Sequence, residues 1–235
     1  MSKGKLYLIP APLGEGALNT IPAYVIEILH RLDYFIAEKA KTARRFIKET
    51  DPVKPFSELH FFELNKHTPP GEIHSFLNPA KEGHDIGLLS EAGCPGVADP
   101  GAEIVKIAHK NDIQVIPLVG PSSILLALMA SGMNGQSFAF QGYLSPKPIE
   151  LANDLKRLEQ QSAKFKQTQI IIETPYRNNR FIEQAIKTLL PTTRFCIAAN
   201  LTLDSQFVKT RTIKNWKTLK APDLHKVPAI FLIQA

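Results

Sequence analysis

Two cysteines in 235 residues, Cys94 and Cys196, stand too far apart to form a CxxC pair. That scarcity excludes a disulfide framework and a cysteine-built zinc site. Long hydrophobic runs are also missing. The longest, Ile124 to Ala130, falls far short of the roughly 20 residues that cross a bilayer. The residues through Leu8 are basic and then apolar, but Pro10, Pro12, Gly14 and Glu15 interrupt any signal-peptide core. A cytoplasmic location without membrane attachment is expected. The nucleotide fingerprints GxGxxG and GxxxxGK[ST] do not occur, which argues against a di- or triphosphate ligand. The seven histidines form no HExxH and no HxH, so no metal is expected. His60, His67 and His74 recur every seven residues, but the prolines between them exclude one continuous helix. Gly120-Pro-Ser-Ser123 lacks the GxSxG pattern, and no histidine is placed by sequence to activate Ser122, which argues against a hydrolase.

What is present is an ordinary globular composition, 44% hydrophobic and 21% charged. The length suits one large domain or two small ones. The net charge of +6 is unevenly placed. Residues 1–118 carry 13 basic against 15 acidic side chains, and residues 119–235 carry 15 against 7. The second part, at +8, suits a polyanionic partner such as RNA, although basic surfaces also serve solubility alone.

Runs at Lys5–Ile9, Tyr34–Ala37, Leu59–Phe62, Ile86–Leu89 and Gln114–Leu118 read as strands. Helical patterns alternate with them, with Asn19 or Thr20 and then Thr68 as expected caps. That alternation argues a mostly parallel sheet. After Ser123, helices at Ile124–Ser131, Ile149–Lys164 and Asn178–Leu190 are expected. Strands are expected at Ser137–Gly142, Gln169–Glu173, Phe195–Leu201, Gln206–Thr212 and Pro228–Ile233. The last three follow one another without helices, which argues a mixed sheet with antiparallel parts. A domain junction is expected near Val119 to Ser123, giving an N-terminal domain of 1–118 and a C-terminal domain of 119–235.

Between the strand ending at Leu89 and a helix at Ala102–Lys110 lies Ser90-Glu-Ala-Gly-Cys-Pro-Gly-Val-Ala-Asp-Pro-Gly101. Ligands of open α/β sheets bind beyond the carboxyl ends of strands. Glycine there lets backbone approach a ligand, and proline stiffens the loop. Loops at Pro10–Gly16, Glu38–Thr42 and Gly120–Ser123 follow other strands of the first domain, so the four should gather on one edge. Glu38, Glu91, Asp99 and Glu173 are the carboxylates at strand ends; Asp99 is expected to hold the following helix.

These segments resemble, in order, motifs of the tetrapyrrole methylase superfamily of S-adenosylmethionine-dependent methyltransferases. The likeness is greatest to the branch that 2′-O-methylates a cytidine ribose in small-subunit ribosomal RNA. Gly4-Lys-Leu-Tyr-Leu-Ile-Pro-Ala-Pro-Leu-Gly14 resembles G-x-L-Y-x-V-x-T-P-I-G. Ala37-Glu38 with Thr42, Arg44 and Arg45 resembles A-E-D-T-R-x-T-x-x-L, and Ser90 to Gly101 resembles S-D-A-G-T-P-G-I-S-D-P-G. Gly120-Pro-Ser-Ser123 resembles P-G-P-S-A, Gly142 to Lys147 resembles G-F-L-P-x-K, and Glu173-Thr-Pro-Tyr-Arg177 resembles E-S-P-H-R. Leu201-Thr202 falls where the family has E-L-T-K. The departures are Lys39 for an acid, Glu91 for Asp, Tyr176 for His, and Ala199-Asn200 for Arg-Glu. The sequence ends at Ala235, where many ribosomal-RNA members continue into a small C-terminal domain.

The resemblance implies two α/β domains with a cofactor cleft between them, and a homodimer. It implies S-adenosylmethionine as cofactor and ribosomal RNA or the small ribosomal subunit as partner. The implied cofactor-binding residues are Pro12, Leu13, Gly14, Ser90, Glu91, Ala92, Gly93, Val97, Ser122, Ser123, Asn200 and Leu201. Glu38 and Glu173 are the expected acceptor-side carboxylates. Arg177 is a phosphate-holding candidate of the same catalytic group, with Arg180 and the lysines and arginine from Lys209 to Lys220 extending that surface. The altered acceptor-side residues leave two alternatives: a tetrapyrrole or other small acceptor, or a cofactor-binding scaffold without turnover.

Overall fold

The computed structural model describes residues 2–235, with Pro70 described by its backbone alone. The chain forms two compact units, Met1–Ser122 and Ser123–Ala235. Among the described residues no helix is long and apolar enough to cross a membrane.

The first unit alternates strand and helix. Its strands are β1 (Leu6–Ile9), β2 (Tyr34–Ala37), β3 (His60–Glu63), β4 (Ile86–Leu89) and β5 (Val115–Pro117). Its helices are α1 (Ala23–Arg31), α2 (Ala40–Glu49), α3 (Pro70–Ile73), α4 (Asn78–Lys81) and α5 (Gly101–Lys110). The sheet order is β3-β2-β4-β1-β5, and every pairing is parallel. Successive strand side chains point to opposite faces, and both faces are covered. Leu6, Ile36, Ile86 and Leu88 join Ile104 and Ile107 of α5 in one core. Their neighbours Tyr7, Ile9, Phe35, Ala37 and Leu89 join Val25 and Leu29 of α1 and Phe46 and Ile47 of α2 in the other.

The expected caps are placed differently. Leu18–Thr20 forms a 3₁₀ turn, α1 begins after Pro22, and the Thr20 hydroxyl donates back to the Ala17 carbonyl. Thr68 closes the turn from Glu63 and Asn65 instead of capping, and α3 follows Pro69. In both places a proline with extended backbone occupies the N-cap position, and no side-chain oxygen caps the helix.

The second unit contains α6 (Ser123–Ser131), β6 (Phe138–Phe140), α7 (Pro148–Phe165), β7 (Thr168–Ile172) and α8 (Asn178–Thr188). It ends with β8 (Arg194–Ala199), β9 (Phe207–Thr212), α9 (Ile213–Lys217) and β10 (Ala229–Gln234). The sheet order is β6-β7-β10-β8-β9; β6 and β7 are parallel and the other pairs antiparallel. Leu151, Leu155 and Leu158 of α7 and Phe181 and Ile182 of α8 pack with Phe195, Ile197 and Phe231 of the strands. Trp216 of α9 joins that core while its indole N–H donates to the Phe195 carbonyl at 2.9 Å. The buried Glu159 carboxylate accepts from the Leu190 N–H at 2.8 Å and the Thr193 hydroxyl at 2.5 Å. It thereby holds the connection from α8 to β8.

Candidate functional site

Because β1, β2, β4 and β5 run parallel, the loops that leave them share one edge of the first sheet. The loop after β4 is folded by its own side chains. One Asp99 oxygen accepts from the Gly96 N–H and the Gly101 N–H, both at 2.8 Å. Asp99 thus braces the loop and the first residue of α5 together, one position ahead of the formal cap at Pro100. Ala98 takes a left-handed φ of 60° within that brace. Ser90 donates its hydroxyl to the Ala92 carbonyl at 3.1 Å.

Two neighbouring loops clamp this one. Ala11 and Gly93 exchange both backbone hydrogen bonds at 2.9 Å. The Cys94 thiol donates to the Pro121 carbonyl at 3.5 Å. Gly120 lies so close to Pro10 that a Cβ there would fall 2.2 Å from the proline Cγ. Only glycine permits that approach. The loops after β1, β4 and β5 are therefore locked to one another.

Beside them opens a cavity of about 210 Å³. Pro12, Leu13, Gly14, Ser90, Glu91 and Ala92, all expected from the sequence, line it together. Thr42, Arg45, Phe46 and Glu49 of α2 form its far wall, a role the sequence reading did not assign. The available signal was position: α2 begins at the carboxyl end of β2, with Ala43, Phe46 and Ile47 buried and polar residues between them. Glu15, Glu49, Glu91 and Arg45 are among the cavity's lining residues, and Lys39 reaches Glu91. The cavity can receive a small polar ligand.

The remaining expected residues are distributed as follows. Gly93 supports the cavity from the Ala11 pairing, and Val97 is exposed further along the loop. Ser122 closes the first unit, and Ser123 opens α6 in the second. Glu38 is half-buried beside Glu91, Asp99 and Gly101 at a crevice of about 10 Å³, too small for a ligand as it stands. The cations that follow Glu38 in sequence are engaged elsewhere. Lys39 reaches Glu91 at 3.9 Å, and the Arg44 guanidinium lies 4.7 Å from the Phe61 ring centroid. The Lys39–Glu91 pair is largely solvent-exposed and is worth about 1 kcal/mol or less.

In the second unit, antiparallel pairing brings the start of β10 beside the end of β8 on one side and the end of β7 on the other. Glu173 follows β7 and is buried. Its carboxylate accepts from the Arg177 guanidinium at 2.5 Å and from the Thr174 N–H at 2.6 Å. Arg177 also donates to the Thr174 hydroxyl at 3.0 Å. Glu173 and Arg177 therefore form a closed brace around the turn into α8, and neither is a free acid, base or phosphate ligand in this arrangement. Asn200 and Leu201 occupy the turn after β8, where Asn200 has a φ of 48° and its amide donates to the Ser205 hydroxyl at 3.0 Å. Leu201 is buried. Among the described residues no group of three or more His, Cys, Asp or Glu side chains could hold a metal ion.

A second cavity, of about 290 Å³, opens at the other end of the first sheet beside Tyr7, Arg31, Asp33 and His84. It lies at the amino ends of the strands, away from the glycine- and proline-rich loops, and the topology of α/β folds favours the carboxyl edge for a ligand.

An all-parallel α/β unit with locked glycine–proline loops beside a cavity, followed by a mixed-sheet α/β unit, defines a two-unit α/β protein with a candidate ligand site at a sheet edge. The model of the tetrapyrrole (corrin/porphyrin) methylases matches residues 5–216, and the chain belongs to that family. Ribosomal RNA small subunit methyltransferase I of Haemophilus influenzae is 26% identical over 233 residues, covering 98% of this chain and 78% of that protein. The protein of that name from Bacillus subtilis is 33% identical over 174 residues, 74% of this chain and 56% of that one. The Synechocystis counterpart is 30% identical, and the match spans 58% of its length. Among solved structures, the methyltransferase CobJ aligns with a TM-score of 0.63 at 17% identity, covering 98% of this chain and 94% of that one. A cobalt precorrin-4 methyltransferase aligns at 0.62 and 15%, covering 98% and 94%. These structural likenesses establish the fold alone.

Proposed function

We propose that the protein is an S-adenosylmethionine-dependent methyltransferase that modifies ribosomal RNA, at the ribose 2′-oxygen of a small-subunit cytidine. The observation that carries the cofactor is the cavity beside the locked loops. Its lining of glycine- and proline-rich loop backbone, with Glu15, Glu49, Glu91 and Arg45 around it, suits a small zwitterionic ligand that carries an additional sulfonium charge. Backbone groups at Pro12, Leu13, Gly14, Ala92 and Gly93, with Ser90, Glu91, Val97 and Ser122, would hold it in the first unit. When bound, it supplies an electrophilic methyl group for in-line displacement.

The chain's own contribution is alignment, which can supply roughly 7–11 kcal/mol of a barrier. Loops fixed by Asp99, by the Ala11–Gly93 exchange and by the Gly120–Pro10 contact suit that task, since a loose loop would lose it. The ribose hydroxyl must lose its proton as the new carbon–oxygen bond forms. Glu38 is the proposed acceptor of that proton. It stands at the carboxyl end of β2 and lies outside the ion pairs that engage Lys39 and Glu173. Glu173 and Arg177 are proposed to shape the turn that faces the acceptor.

The acceptor is supported by the names of the sequence relatives and by the +8 charge of residues 119–235. The same reading carries a homodimer in the cytoplasm, to be checked by light scattering and cell fractionation. Mass mapping of ribosomal RNA from cells with and without the protein tests the function. One ribose methyl lost from a small-subunit cytidine is expected. An unchanged map, with transfer to a uroporphyrinogen-like acceptor instead, would replace RNA by a tetrapyrrole.

A further inference from the structure

The turn between β7 and α8 carries Tyr176, a residue 70% exposed although its backbone is held in a tightly fixed turn. Its neighbour is His225, edge-to-face at 5.9 Å and 73°, also exposed. The backbone beneath the two rings is held from both sides. Lys226 donates its N–H to the Pro175 carbonyl at 3.0 Å, and Leu224 donates its N–H to the Asn179 side chain at 2.8 Å. The buried Asn178 amide donates to the Leu224 carbonyl at 3.3 Å and the Val227 carbonyl at 2.6 Å. Asp223 accepts from the Asn179 amide at 2.7 Å and from the His225 N–H at 3.1 Å. An aromatic side chain this exposed forgoes most of its burial energy, yet the surrounding hydrogen bonds fix where it stands.

Charge around the pair is mostly positive. Lys226 adjoins His225, and Arg180 lies one helical turn beyond Tyr176 on α8; both are exposed. Arg177 and Glu173 neutralise each other beneath the turn. Asp223 is the acidic exception, and its oxygen is engaged by Asn179 and the His225 N–H. The neighbouring parallel strand β6 leads to a second exposed tyrosine, Tyr143, through Gly142, whose carbonyl accepts from the Ile172 N–H.

We propose that Tyr176 and His225 form a stacking platform for an unpaired nucleobase of the RNA acceptor, with Lys226 and Arg180 holding the adjoining phosphates. The proposal rests on the RNA reading of the function and adds to it the surface that grips the acceptor. Exposed rings beside cations are how proteins hold single-stranded RNA, because every base offers a π-face and every linkage a charge. The platform positions the RNA and does not touch the reacting atoms.

The test uses the full chain and a fluorescent single-stranded oligoribonucleotide read by anisotropy at fixed salt. Tyr176→Ala is expected to weaken RNA binding within the roughly 5- to 150-fold range of one stacked base, and Tyr176→Phe to stay within about twofold. Lys226→Gln is expected to reduce the salt slope by about one. S-adenosylmethionine affinity, measured by calorimetry, should be unchanged in all three. On small subunits Tyr176→Ala should raise KM and leave kcat nearly unchanged. Tyr176→Trp should lose fluorescence when RNA is added. If the parent protein binds RNA and Tyr176→Ala binds it equally well, the platform is wrong and the function stands. If Tyr176→Ala loses cofactor affinity as well, the turn serves the cofactor and the platform is overturned. If the parent binds no single-stranded RNA, the platform falls, and the acceptor reading is decided separately by methyl transfer to small subunits.

Discussion

At the residue scale, the reading depends on a few side chains whose partners define their roles. Asp99 has two N–H donors, so Asp99→Ala should cost about 3–6 kcal/mol, at roughly 1.5–3 kcal/mol for each hydrogen bond to a charged group. Urea unfolding and cofactor calorimetry would show reduced stability and reduced affinity together. Glu38 and Glu173 separate cleanly. Glu38→Gln should lower kcat by about 10²–10⁴ with stability within about 0.5 kcal/mol, as for a general base. Glu173→Gln should lower stability by about 1–3 kcal/mol, because Arg177 loses its buried partner. A fall in kcat at normal stability for Glu173→Gln would exchange the two roles. Cys94 offers a pH test. Burial pushes its thiol above the usual thiol range, because desolvation disfavours the thiolate. The folded protein should therefore alkylate with iodoacetamide only at higher pH than a free cysteine, and unfolding should bring the midpoint down. A midpoint at or below that of free cysteine would contradict the packing of Cys94 against Pro121.

At the element scale, the strands of the first unit were legible because their alternation matches two covered faces. Leu6 and Leu88 turn one way, and Tyr7 and Leu89 the other. The gathering of loops followed from parallel strands alone. Less was legible where local and distant contacts compete. Thr20 and Thr68 have the chemistry of caps, but Pro22 and Pro69 occupy the N-cap positions. The short helix Ile213–Lys217 carries no periodic signal, since one turn buries only Ile213 and Trp216. The α2 wall of the cavity depends on which face of that helix meets the loops, and no sequence spacing fixes that. The partners of Glu173 and Lys39 were likewise settled by distance and not by type. The tightest inter-element contact yields a prediction: Gly120→Ala should cost about 1–3 kcal/mol through overpacking against Pro10. It should also weaken cofactor binding, since the loop after β1 must shift. Thermal unfolding and calorimetry check both effects, and an unaffected Gly120→Ala protein would show that the loops are not locked there.

At the scale of the whole molecule, two α/β units divide the charge. Residues 1–118 are slightly acidic and carry the cavity, and residues 119–235 are strongly basic and carry the Tyr176–His225 surface. On the proposed reading, the first unit positions a cationic cofactor and the second attracts a polyanion, so RNA affinity should fall steeply between about 50 and 200 mM salt while cofactor affinity changes little. The central claim is methyl transfer to ribosomal RNA. It is tested most directly by incubating the purified protein and labelled S-adenosylmethionine with small ribosomal subunits from cells that lack it. The account expects about one labelled methyl per subunit, recovered on the ribose of a single cytidine. Absence of label in RNA from assembled subunits, from partly assembled subunits and from free RNA alike would contradict it.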